Sequence, residues 1–186
     1  MSNSVITKRA LAAALKELLQ TTTIEKISIA EICQRCGLNR KSFYYHFQDK
    51  YQLVNWIFAQ EIGDTLLETK QTTVHTQLSL AFCNYLYENR MFILNALHAS
   101  GSGTFYDYLC QQIQPLIKRT LATSQKSILN TDDAASMVSQ SFLSAVYLWL
   151  RRTPPEKPQA FLSELISVAE VLSVRIQQLL DPPPMQ

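Results

Sequence analysis

The feature that most constrains this chain is the placement of its helix breakers. Only four glycines and seven prolines occur in 186 residues. They also cluster: Pro154, Pro155 and Pro158 share one loop, Pro182, Pro183 and Pro184 form a tail, and Gly101-Ser102-Gly103 is a single hinge. A many-stranded β fold needs turn residues at short regular intervals, and this chain does not supply them. Between the breakers, apolar residues recur at three- and four-residue spacing, and no segment alternates convincingly. The expected class is all-α, with about nine helices.

The helices can be placed by their ends. Residues 5–20 carry Ile6, Ala10, Leu11, Ala14, Leu15, Leu18 and Leu19 on one face, with Thr7 as the expected cap. Thr21-Thr22-Thr23 reads as a loop. Ser28-Ile29-Ala30-Glu31 is a capping box, and Gly37 should end that short helix in the left-handed conformation. Asn39 caps a third helix over 40–47, and Asp49 a fourth over 50–70. Further helices are expected at 75–88, 90–99, 104–123, 132–151 (capped by Thr131 or Asp132) and 158–180. Pro115 should kink the helix that contains it, because it lacks a backbone donor and crowds the preceding turn.

Composition excludes several classes. Apolar residues make up 47% of the chain, enough for a core and too many for a disordered chain. No run of 18 apolar residues occurs, so no membrane span is expected. The start, Met1-Ser2-Asn3-Ser4, lacks a signal-peptide pattern, and a cytoplasmic protein is expected. Four cysteines form no disulfide framework in a chain this long. Cys33-x-x-Cys36 has no second ligand pair for zinc, and His46, His75 and His98 have no metal-binding spacing, so core thiols and no metal or cofactor are expected. Phosphate loops, nucleophile elbows and usefully spaced carboxylate pairs are all missing, so an enzyme is the least favoured class. Net charge is +2, but residues 1–57 carry +4 and the remainder −2. A basic head on a mildly acidic body suits a polyanion-binding module joined to a different one.

The basic head contains the informative motif. Residues 28–47 read as helix, glycine turn, helix, with the length and turn chemistry of a helix-turn-helix. In the second helix Phe43 and Phe47 face inward. Arg40, Lys41, Ser42, Tyr44, Tyr45 and His46 cover the remaining surface. That surface suits a major groove: cations for guanine or phosphate, and tyrosines for phosphates and thymine methyls. Lys50 opens the next helix, where a phosphate would also meet unpaired backbone N–H groups. Ser28, at the cap of the first helix, is counted with this set. A three-helix packing unit with a solvated basic face is the plainer alternative, and the two tyrosines beside two cations weigh against it.

The stretch Cys36-Gly37-Leu38-Asn39-Arg40-Lys41-Ser42-Phe43-Tyr44-Tyr45-His46-Phe47-Gln48-Asp49-Lys50-Tyr51-Gln52-Leu53 resembles the Ala-Gly-Val-Ser-x-x-Thr-Leu-Tyr-x-His-Phe-x-x-Lys-x-x-Leu pattern of TetR-type transcription regulators. Cys36, Asn39 and Ser42 depart mildly from it. The resemblance implies DNA-facing roles for Ser42, Tyr44, Tyr45, His46 and Lys50, with Lys41 reading a base. It implies a helix-turn-helix DNA-binding domain over 1–50 and a helical effector-binding and dimerisation domain over 51–186. The stretches Glu88-Asn89-Arg90, Leu94-Asn95-Ala96-Leu97 and Trp149-Leu150-Arg151-Arg152 look like the subgroup of dihydroxyacetone kinase operon regulators, which allows an activator in place of a repressor.

The implied partners are a palindromic duplex operator, a second copy of the chain, and a small-molecule or protein effector. For the dimer interface the apolar stripes of the last two helices supply Phe142, Val146 and Trp149, and Phe161, Leu165, Leu172 and Ile176. For an effector the candidates are Tyr85, Phe92, Asn95, His98, Phe105, Tyr108 and Tyr147; aromatics at helical spacing are more often plain core, so Asn95 and His98 are the better ones. A helical adaptor that binds a protein and no DNA remains a competing reading.

Overall fold

The computed structural model describes residues 3–68, 75–98, 104–122 and 130–180, and all their side chains except those of 3, 63–68, 75–79 and 175–180. The described residues contain nine α-helices and one short 3-10 turn, Ile24–Lys26, with no strand among them. The helices are α1 (Asn3–Leu18), α2 (Ile29–Arg35), α3 (Arg40–His46), α4 (Lys50–Glu68), α5 (His75–Glu88), α6 (Arg90–Ala96), α7 (Phe105–Ala122), α8 (Thr131–Arg151) and α9 (Pro158–Leu180). We call α1–α3 the head and α4–α9 the body.

The head is built by its caps. The Ser28 hydroxyl accepts from Glu31 N at 3.2 Å, while Ser28 N donates to Glu31 Oε2 at 2.7 Å. Hydrogen bonding from the Ser28 side chain, then from its backbone N–H, holds the Glu31 carboxyl below the ordinary carboxylate range. Gly37 sits at φ 67°. Leu38 N donates to Cys33 O at 2.9 Å and Gly37 N to Gln34 O at 3.3 Å, the paired bonds of a Schellman ending. Asn39 Oδ1 accepts from Ser42 N at 2.8 Å to start α3. Asp49 Oδ1 accepts from Gln52 N at 2.7 Å to start α4. Between the caps, Leu11, Leu15, Ile32, Phe43, Phe47 and Leu53 are buried together. Each such side chain stabilises the unit by about 1.5–3 kcal/mol relative to exposure.

Two expected caps were misplaced. Helix α1 starts at Asn3, so Thr7 lies inside it. Helix α8 is capped by Asn130, whose Oδ1 accepts from Asp132 N and Asp133 N at 3.1 Å, not by Thr131 or Asp132; an asparagine completes the cap one residue earlier. Helix α6 ends at Ala96, short of the expected 99, and α7 runs on through Pro115. The Gly101-Ser102-Gly103 hinge and the proline tail lie outside the described residues.

In the body α7 packs along α8, α5 against α9, and α4 against both α5 and α7. Phe58 of α4 is the hub: Tyr85, Phe105, Tyr108 and Phe82 meet it edge-on at 5.6, 5.6, 6.1 and 6.2 Å. Trp149 stacks on Phe161 at 4.4 Å with 6° between the planes, and its Nε1 donates to Glu156 O at 2.9 Å. Arg90 closes the end of α8, donating to Leu150 O at 2.5 Å and Arg152 O at 3.2 Å.

Candidate nucleic-acid interface

Helix α3 presents its polar side outward. Phe43 and Phe47 are buried beneath it, with ring centres 5.9 Å apart. Arg40 and Lys41 are exposed, Tyr44 is 50% exposed and Tyr45 82% exposed. Tyr44 leans edge-on against Phe43 at 5.6 Å. A hydrogen bond with the Tyr44 side chain, reinforced by their proximity, lifts the Arg40 pKa. His46 is half-buried, edge-on to Tyr45 at 4.8 Å. The helix therefore offers two cations and two phenols on one rigid surface, fixed from below by two phenylalanines.

The other expected members have structural partners. Ser42 Oγ donates to Asn39 Oδ1 at 3.1 Å, so its hydroxyl belongs to the α3 cap. Ser28 is engaged in the α2 cap. Lys50 Nζ donates to Glu25 O at 3.0 Å and Ile27 O at 2.8 Å, which ties the start of α4 to the loop before α2 and leaves one of three ammonium donors for a phosphate. Burial lowers the Lys50 pKa, against the opposing pull of Glu25 and Glu31. A notch of about 330 Å³ lies beside these groups, lined by Ser28, Ala30, Arg40, Asp49, Lys50 and Tyr51. Lys8, absent from the expected set, stands over the Phe47 and Trp56 rings at 5.8 and 5.9 Å. Nothing in the spacing of the sequence links it to α3.

The effector candidates divide. Phe92 and Phe105 are fully buried core residues, ring centres 6.2 Å apart. Tyr108 packs on Phe58, and burial raises its pKa. Burial, then the bond to Glu61, pushes the Tyr85 phenol well above its ordinary value. The two preferred candidates, Asn95 and His98, bind the head: Asn95 Nδ2 donates to Leu19 O at 2.9 Å, and His98 Nδ1 lies 3.3 Å from Glu25 Oε2. Both need partners distant in sequence, which periodicity could not reveal. Tyr147 lines a cleft of about 360 Å³ shared with Leu97, Tyr106, Ser144 and Leu148.

The dimer candidates divide as well. Val146, Trp149 and Phe161 are buried in the chain's own core, and Phe142 packs against Phe82 at 6.2 Å. Leu165 is half-buried, Leu172 is exposed, and the Ile176 side chain lies outside the described residues. Besides the candidate Leu172, the exposed apolar residues of these helices are Met137, Val138 and Leu148 on α8, and Ile166, Val168, Val171 and Val174 on α9. A helical stripe identifies an apolar face but not which neighbour covers it. No group of metal-binding side chains occurs among the described residues. Cys33 is buried, which raises its pKa, so it is held as a thiol.

Comparison with known proteins places these features in a family. Residues 10–57 match the family model described as "Bacterial regulatory proteins, tetR family". Residues 75–170 match one described as "Transcriptional regulator C-terminal region". The chain is 30% identical over 92 residues to the HTH-type dhaKLM operon transcriptional activator DhaS of Lactococcus lactis subsp. lactis (strain IL1403), a span of 50% of this chain and 49% of that protein. The match thus spans about half the length of that relative. Among solved structures, NalD of Pseudomonas aeruginosa, the secondary repressor of the MexAB-OprM efflux pump, superposes with a TM-score of 0.66 at 19% identity, covering 89% of this chain and 95% of that one. A dihydroxyacetone kinase operon activator DhaS gives 0.64 at 19% identity, covering 92% and 98%. With the two models together reaching from the capped head to the first half of α9, the chain belongs to the TetR family of transcriptional regulators.

Proposed function

We propose that this TetR-family regulator is a repressor that binds a palindromic operator in the cytoplasm as a homodimer and is modulated by a small-molecule or protein effector. The observation that carries the reading is the outward face of α3, where Arg40, Lys41, Tyr44 and Tyr45 stand exposed over a buried Phe43–Phe47 floor. Lys41 and Tyr45 read base edges; Arg40 and Tyr44 hold phosphates or flanking bases. Ser28, Ser42 and Lys50 act mainly by fixing the motif, with one Lys50 donor reaching the backbone. The dimer forms through the exposed apolar residues of α8 and α9, of the kind that a protein partner covers. Two-fold symmetry sets the recognition helices about 34–36 Å apart, one turn of duplex. Footprinting on the DNA flanking the protein's own gene tests this: two protected half-sites one turn apart are expected, and an unprotected flank together with no salt-sensitive duplex binding would overturn it.

A second reading, an activator, is favoured by the likeness to the activator DhaS. A reporter carrying the footprinted site upstream of a promoter separates the two. Lower expression with the protein present supports the repressor, and higher expression supports the activator.

A further inference from the structure

A closed hydrogen-bonded circuit, side chain to side chain except for one main-chain carbonyl, crosses the seam between head and body. Lys16, near the end of α1, places Nζ 2.8 Å from Glu61 Oε1 and 2.9 Å from Glu61 Oε2. The same ammonium donates to Asn89 Oδ1 at 3.0 Å. Asn89 Nδ2 donates to the Tyr85 carbonyl at 3.0 Å, and the Tyr85 hydroxyl donates to Glu61 Oε2 at 2.8 Å, closing the ring. One member belongs to the head and three to the body, on α4, α5 and the turn before α6. Lys16 also stands over the Phe92 ring at 5.5 Å. The Tyr85 ring lies 5.6 Å from Phe58, inside the aromatic cluster of the body.

We propose that this circuit is the connection through which the body sets the angle of the DNA-binding head, with the Tyr85 hydroxyl as its body-side member. The proposal rests on the regulator reading above. An isolated exposed Lys–Glu pair fixes little, because each long side chain keeps its alternatives. Here Glu61 is held by two donors and Lys16 by two acceptors and a ring, so the members orient one another. Tyr85 is the member whose ring packs on Phe58, so it joins the circuit to the aromatic cluster of the body. A polar ligand group that draws its hydroxyl away leaves Glu61 with Lys16 alone, and α1 loses a fixed point. A loosened head must then be ordered when DNA binds, which weakens binding without altering any DNA contact.

Full-length protein, Tyr85→Phe, Lys16→Met and the double variant would be titrated against one duplex, selected from a random-sequence library by the wild-type protein. Each single variant should weaken binding by about three- to tenfold, and the double variant no further than the weaker single, because both break the same unit. Amide hydrogen exchange over Leu11–Leu18 should quicken in Tyr85→Phe, although the substitution lies on α5. Unchanged or tighter binding, or losses that multiply in the double variant, overturn the proposal. If Lys16→Met does not fold, Glu61→Gln replaces it in the same cycle. If the wild-type protein retains no duplex, the regulator reading fails, and the exchange measurement decides the circuit alone: unaltered α1 exchange in Tyr85→Phe refutes it.

Discussion

At the scale of single residues, Tyr45 and Lys41 separate affinity from sequence reading. Tyr45 touches His46 and otherwise faces outward, so Tyr45→Ala should leave the melting temperature unchanged and weaken duplex binding by roughly tenfold, as loss of one good contact of about 1–3 kcal/mol implies. Lys41→Ala should relax sequence preference if Lys41 meets a base. A uniform loss across sequences, with the log–log salt slope reduced by about one, would identify a phosphate contact instead. Cys83 gives a different test. It is fully buried, and burial pushes its thiol up to about 12 from 9.0. A raised folded-state pKa means that the unfolded chain loses its proton first. Its contribution is complete below pH 9 and is lost as pH rises toward 12. Denaturant midpoints should therefore fall with alkaline pH, and less steeply in Cys83→Ala; parallel curves for the two proteins would show that Cys83 does not drive the fall.

At the scale of elements, the turn between α2 and α3 can be tested by its two caps. An added Cβ on Gly37 would meet nothing within 4 Å, so Gly37→Ala carries only the cost of holding alanine at φ 67°, about 1 kcal/mol. Thermal scans should show a fall of about 2–4 °C for a chain of this size. Asn39→Ala removes the acceptor for Ser42 N and should cost about 1 kcal/mol as well, with a larger loss in DNA affinity because the start of α3 frays. These caps were legible in the sequence because they are local: Ser28, Gly37, Asn39 and Asp49 each act within four residues. Asn130 was missed because three adjacent residues could all cap, and only the backbone decides among them. The partners that the sequence does not reveal share one cause. Asn95, His98 and Lys50 meet Leu19, Glu25 and Ile27, which lie far off in sequence and become neighbours only through the packing of α1, α4 and α6. The exposed side of α3 was legible because two phenylalanines four residues apart define the opposite side.

At the scale of the whole molecule, α9 is nearly uncovered from Ser163 to Val174, with Val171 69% exposed. If a second copy covers it, Val171→Glu should shift sedimentation from dimer to monomer at micromolar concentration and lower operator affinity, while helix content stays constant; a persistent dimer would move the interface elsewhere. Duplex binding by the intact protein should weaken steeply with salt, since each phosphate contact releases a counterion. The stacked Trp149–Phe161 pair has one more consequence. The chain has two tryptophans in different surroundings: Trp149 fully buried between Tyr87 and Phe161, Trp56 half-buried on α4 against Phe47 and Lys8. Their fluorescence should therefore resolve into a blue, quencher-shielded emitter and a redder, quencher-accessible one, so that a Trp56→Phe protein carries a built-in optical probe of the α8–α9 packing and a Trp149→Phe protein one of the contact between α3 and α4.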